Sequence, residues 1–138
     1  MPQLGEIDIV NSIINKISYE QNEDGTSKER ELPVRLKIYL LTVFNAIADD
    51  FKVFDTMKKS LLTKYGKEME GKQGYVEIPK ENMEDYTKEI TVVAETEGKA
   101  EIEKFDQETL LSILDEKRVN LTFFELNILQ RLMLSTGK

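Results

Sequence analysis

The chain has 138 residues, 33% of them charged, a net charge of −7, and neither cysteine nor histidine. Without thiol or imidazole there is no disulfide framework, no thiolate zinc site and no Ser-His or Cys-His catalytic arrangement. Carboxylate chemistry, a lysine or an oxygen-ligand magnesium or calcium site stay open, and no motif supports any of them.

The length fits one domain, 1–138, with a core that needs no staple. Met1-Pro2-Gln3-Leu4-Gly5-Glu6 has no basic patch followed by an apolar run, so no signal peptide is expected. No apolar segment approaches the roughly 18 residues of a membrane span. Asn120-Leu121-Thr122 matches a glycosylation sequon and reads as chance in a protein expected in a reducing cytoplasm.

Ile7, Val10, Ile13, Ile14 and Ile17 recur at spacings of three and four, which predicts a short amphipathic helix over 6–17. The β-branched isoleucines leave a strand open as the alternative. Residues 20–31 are polar around Asp24-Gly25 and read as an exposed connector, with a small hairpin possible at its tip.

The dominant element is one helix over about 33–65. Leu32-Pro33 suits its first turn, Gly66 stops it as a left-handed cap, and no Gly or Pro intervenes. At about 1.5 Å per residue it would run roughly 48 Å, against a diameter under about 40 Å for a compact chain of this size. It must protrude or bend. Leu36, Leu40, Val43, Ile47, Phe54, Met57 and Leu61 form a heptad-like stripe with Asp50 in the skipped position. A second row of Val34, Ile38, Leu41, Phe44, Phe51 and Phe54 widens the apolar face of the first half. The expectation is a first half buried on two sides and an emergent, more polar second half with Phe54, Met57 and Leu61 free to bind.

Residues 67–74 read as a loop, and Gly71-Lys72-Gln73-Gly74 lacks phosphate-loop spacing. Tyr75 to Ile78 alternates briefly before Pro79. A helix over 80–95 follows, with Met83, Tyr86, Ile90 and Val93 on one face. Ala100 to Phe105 reads as extended, and Asp106 as the N-cap of a helix over 106–114. The last helix, 122–134, has the clearest start: Thr122 and Glu125 form a capping box, with Leu121 placed to staple Leu126. Phe123, Leu126, Leu129, Leu132 and Met133 give its apolar face, expected against the first half of the long helix. The fold class is therefore mainly α, a small helical bundle built on one long helix, with one or two short strands or a small hairpin.

Charge is unevenly placed. Residues 81–108 hold ten acids and three lysines, so the whole imbalance of −7 sits there. This is either a solvated face or a surface for a basic partner, and it argues against direct nucleic-acid binding. Asp49-Asp50 with Asp55, and Glu81, Glu84 and Asp85, are the carboxylate groupings. Adjacent helical residues diverge by about 100° and no Glu-x-x-His companion exists, so no catalytic, cofactor or metal residues are assigned. Lys58, Lys59, Lys64, Lys67 and Lys72 cluster where cations favour the helix dipole, and a phosphate contact there is the sharper alternative. The candidate interaction residues are Phe54, Met57, Leu61, Lys58, Lys59, Tyr65, Glu81, Glu84 and Asp85.

The segment order Leu32-Pro33-Val34-Arg35-Leu36-Lys37-Ile38, Leu61-Leu62-Thr63-Lys64-Tyr65-Gly66-Lys67, Ile78-Pro79-Lys80-Glu81-Asn82-Met83-Glu84 and Leu121-Thr122-Phe123-Phe124-Glu125-Leu126 resembles a group of small uncharacterised helical proteins of tailed bacteriophages, including crAss-like gut phages. The resemblance spans about residues 7–132, leaves out the long connector at 20–30, and brings no functional residues with it. It implies a virion or assembly protein, such as a head–tail junction or packaged component, located in the virion or in the host cytoplasm during infection. Its partners would be other phage structural proteins or further copies of itself. The alternative is a small acidic phage factor that binds and modulates a host protein.

Overall fold

Proline at 33 and glycine at 66 delimit helix α2, Val34–Tyr65, which runs 32 residues without a break. The computed structural model describes residues 2–68 and 76–135. Along the described chain, α1 (Leu4–Ser18), the hairpin β1 (Tyr19–Gln21) and β2 (Ser27–Glu29), and α2 come first. There follow β3 (Lys67–Glu68), β4 (Val76–Glu77), α3 (Lys80–Glu95), β5 (Phe105–Asp106), α4 (Gln107–Glu116), α5 (Phe123–Ile128), a π-helical turn (Leu129–Met133) and β6 (Leu134–Ser135). The fold is mainly α. Gly71 to Gly74 and Tyr75, which carried the loop and alternation readings, lie outside the described residues, as does Lys72.

The excess length of α2 is absorbed by two helices laid end to end along it. α3 starts beside the end of α2, where the Asn82 side chain donates to the Tyr65 carbonyl at 3.0 Å. It runs back until Lys99 and Ala100 meet Asp50. There α1 takes over: the Leu4 N–H donates to the Thr96 carbonyl at 2.8 Å, and Gln3 bridges Glu97. The carboxyl end of α1 then lies beside Leu32, Lys37 and Leu40, at the start of α2. A side chain at Gly5 would press on Ala94, so α1 and α3 touch closely at their junction.

Burial decides between the two forms left open for the first segment. Ile7, Val10, Ile13, Ile14 and Ile17 are all buried in α1, so packing outweighs their modest helix propensity. They form the core with Leu36, Tyr39, Leu40, Val43 and Ile47 of α2, Leu110 and Leu114 of α4, and Ile128, Leu129 and Met133 near the carboxyl end. Asp24-Gly25 turns the β1–β2 hairpin, with Gly25 at φ 87°. Asp106 caps α4 by accepting from the Thr109 N–H at 3.0 Å. Thr122 and Glu125 exchange the two bonds of the capping box on α5, at 3.1 and 2.9 Å. Of the segment 100–106, only Phe105–Asp106 pairs, in parallel, with Leu134–Ser135.

Four expectations are corrected. Gly66 is extended, at φ −88° and ψ 161°, so it is not a left-handed cap. It is glycine because a Cβ there would collide with the Leu62 carbonyl and the Val76 side chain. The second half of α2 is not emergent, since α3 covers it. The first half of α2 is buried on one side and not on two, since Val34, Ile38, Leu41 and Phe44 stay exposed. Phe123 and Leu126 are exposed, and α5 packs mainly on α1, while Ile128 and, in the π turn, Leu129 and Met133 enter the core.

Candidate docking surface

Two half-covered faces of α2 compete for the role of binding surface. On the second half, α3 buries Phe54 and Leu61, so neither is free; Met57 keeps 42% exposure. The Lys58 ammonium lies 5.7 Å from the Phe54 ring centre, a cation–π contact. Lys59 pairs with Asp55 at 2.9 Å, one turn back. Tyr65 meets Tyr86 edge to face at 6.5 Å, while Lys64 bonds Glu89 at 3.2 Å. Glu81, Glu84 and Asp85 face solvent on α3, with Glu84 paired to Lys88 at 3.3 Å. These nine candidates lie along α2 and the start of α3, with the Tyr65 end of α2 beside the first turn of α3.

The first half shows the reverse. Its inward stripe is buried, and the second apolar row is left in water: Val34 is 69% exposed, Ile38 59%, Leu41 60% and Phe44 46%. Folding leaves most of this row uncovered because the core that α1 and the carboxyl-terminal elements build with α2 lies against its inward stripe. Leu41 and Phe44 also border a groove of about 370 Å³, closed by Ile14, Tyr19 and Leu32. The same row carried the sequence signal; what sequence periodicity missed is which side of the helix the chain fills for itself.

Polar groups inside the fold hold the junctions. Asp50 is buried, and its Oδ2 accepts from the Lys99 N–H at 2.8 Å and the Ala100 N–H at 2.7 Å. It fixes the place where α3 hands over to α1, which explains the polar break in the heptad stripe. Gly98 is needed there, since a Cβ would strike the Asp50 carboxylate. Glu125 is also buried, accepting from Lys16 at 2.7 Å and from the Thr122 N–H at 2.9 Å. Burial pushes its carboxyl up, but the Lys16 and Thr122 bonds outweigh that and hold it below the usual carboxylate range. The Tyr39 hydroxyl lies 2.7 Å from the Glu103 carbonyl and 3.0 Å from that of Met133, and burial pushes the phenol up.

A broad open cleft between α1, the hairpin and the end of α4 gathers Lys16, Arg30, Lys117 and Arg118. Its central cation is already committed. Arg30 donates to the carbonyls of Ile17, Lys117, Lys16 and Tyr19, at 3.1, 3.0, 3.4 and 3.2 Å. It thereby satisfies the orphan carbonyls at the end of α1 and binds them to α4. Lys16 is spent on Glu125. The cleft is therefore a structural clasp, and nothing in the polar connector marked Arg30 as its centre.

Among the described residues, no group of three or more Asp, Glu, His or Cys side chains is placed to hold a metal ion. No described helix is long and apolar enough to cross a membrane. No protein-family model, curated protein or solved structure matches the chain.

Proposed function

We propose that this chain is a non-enzymatic structural or assembly protein of a tailed bacteriophage, working through helix-mediated contacts with other chains. The observation that carries the reading is the exposed row Val34, Ile38, Leu41 and Phe44 on an otherwise well-packed helix. A small domain with a complete core has no internal reason to leave four large apolar residues in line on one face. The docking residues are accordingly this row, in place of Phe54 and Leu61. The partners are phage structural proteins or further copies of the chain, and the site of action is the virion.

Quantitative mass spectrometry of purified particles against infected-cell lysate tests this. The expected result is the chain in particles at fixed stoichiometry, lost on Leu41→Asp while the isolated variant stays folded. The second reading, an acidic factor that modulates a host protein, is favoured by one observation. Nine of the ten acids in 81–108 are exposed, and the tenth, Glu89, is half-buried, so the segment carries its excess negative charge at the surface. Absence from particles together with co-purification of one host protein would select it.

A further inference from the structure

The exposed row is more ordered than a patch. Val34, Ile38, Leu41, Asn45, Ala48 and Lys52 follow one another at spacings of four, three, four, three and four, and all six are exposed. That is a second heptad seam, opposite the one buried in the core. In heptad terms Ile38, Asn45 and Lys52 are a residues and Val34, Leu41 and Ala48 are d residues, so the apolar part of the seam is Val34, Ile38, Leu41 and Ala48. A single Asn on the a row restricts register at some cost in stability.

The charges flanking this seam fix the direction of the partner. Arg35 and Asp49 lie on the same flank, two heptads or about four turns apart, and both are exposed. Arg35 is close enough to Asp106 to contribute, after the larger effect of the Thr109 bonds, to holding that carboxyl low. In an antiparallel pair with its two-fold axis level with residues 42–44, Arg35 meets the partner's Asp49, and the symmetry makes the contact twice. The same register sets Ile38 over the small partner's Ala48 and Leu41 beside the partner's Asn45. Phe44 meets the partner's Phe44 near the axis. In a parallel pair Arg35 would have no acid opposite it.

We propose that the chain forms a two-fold antiparallel homodimer through the outward face of the first half of α2. This deepens the assembly reading and rests on it, by naming a second copy as the first occupant of the docking face. The interface is isologous, so one patch is complementary to itself and closes without propagating. Its ionic part is exposed and screened, which makes the dimer weaken as salt rises.

Sedimentation velocity over a concentration series tests the proposal. Wild type should show a monomer–dimer equilibrium, and Leu41→Lys should be monomeric with an unchanged circular dichroism spectrum. Arg35→Glu and Asp49→Arg should each raise the dimer Kd roughly ten- to thirty-fold, since each places two like-charge pairs across the axis. The double variant R35E/D49R should restore the wild-type Kd, which no folding defect would do. Because the chain has no cysteine, engineered ones report orientation without background. Mixing Ile38→Cys with Ala48→Cys should give the mixed disulfide. Self-linked Ile38→Cys and self-linked Ala48→Cys would instead show a parallel pair and overturn the proposal. A wild-type chain that stays monomeric to about 100 μM also overturns it. In that case, loss of Leu41→Asp from particles would leave the assembly reading standing with a different partner. A dimer of the stated geometry that is absent from particles would sink the assembly reading alone.

Discussion

Replacing Asp50 by alanine should be among the most damaging single changes to a charged residue in the chain. The carboxylate is buried at the handover between α3 and α1, and both of its bonds go to backbone N–H groups. Alanine removes the acceptor and leaves those two donors behind. An unsatisfied buried donor costs about 1–3 kcal/mol. The Ala100 N–H is fully enclosed and should carry most of that, while Lys99 is more open and water can reach it. The sum is about 3 kcal/mol, a sizeable share of the 5–15 kcal/mol typical of a domain.

Urea denaturation monitored at the helix band is the assay. With a slope of about 1.5 kcal/mol/M for a chain of this size, the midpoint should fall by about 2 M. Asp50→Asn keeps an acceptor but not the charge, and charged acceptors are roughly twice as strong, so about half the loss is expected. Asp55→Ala is the control on the same helix, losing only an exposed one-turn pair worth under about 0.5 kcal/mol. If Asp50→Ala and Asp55→Ala shift the midpoint equally, the junction is not held by Asp50 and the account of the broken stripe is wrong.

Ile47 is 1% exposed in the core stripe, so Ile47→Asp should cost several kcal/mol by burying an unpaired charge. Lys59→Glu, on the surface, should cost no more than about 1 kcal/mol, and thermal melts of the two variants compare them directly. Glu6, held down against burial by its Arg131 and Gln3 bonds, and Glu125 both have carboxyls lower in the folded chain than in the unfolded one. Their stabilisation is therefore present above the unfolded value of about 4.3 and lost as pH falls through the folded values, so Glu125→Gln should flatten the acid limb of a stability–pH curve. The purified chain should not bind duplex DNA with sub-micromolar affinity in about 150 mM salt, by fluorescence anisotropy, because the acids of 81–108 face solvent.

The parts of the fold that local chemistry decides were legible in the sequence. Leu32-Pro33 and Gly66 gave the limits of α2, while Asp106, Thr122 and Glu125 gave two helix starts through caps made by their own side chains. What could not be read was which face meets which. The two apolar rows of α2 differ little in composition, and only the placement of α1 and α3 decides that Leu40 is covered while Leu41 is not. Phe54 and Leu61 were placed on the surface for that reason: they stand in a polar half of the helix and look unclaimed until α3 folds back over them. Arg30 was invisible for another reason, since capping carbonyls at the ends of two distant helices leaves no periodic trace.

A helix that outruns its domain was the first pointer to a protein partner, and the fold removes that argument while supplying a better one. Length alone needs no second chain, because α3 and α1 together match the 32 residues of α2 and are joined beside Asp50. The unsatisfied feature is lateral. α2 has apolar residues around more of its circumference in the first half than one layer of helices can cover, and the uncovered part carries heptad spacing of its own. Cores tolerate extra hydrophobic residues poorly on the outside, where they promote non-specific association unless something specific uses them. Here the row is edged by Arg35 at one end and Asp49 at the other, both exposed. Opposite charges so spaced favour an antiparallel copy over a parallel one, where Arg35 has no acid opposite it. The same two residues thus decide both whether the face is a hazard and which partner it selects, which is why their reciprocal exchange is the sharpest experiment the structure offers.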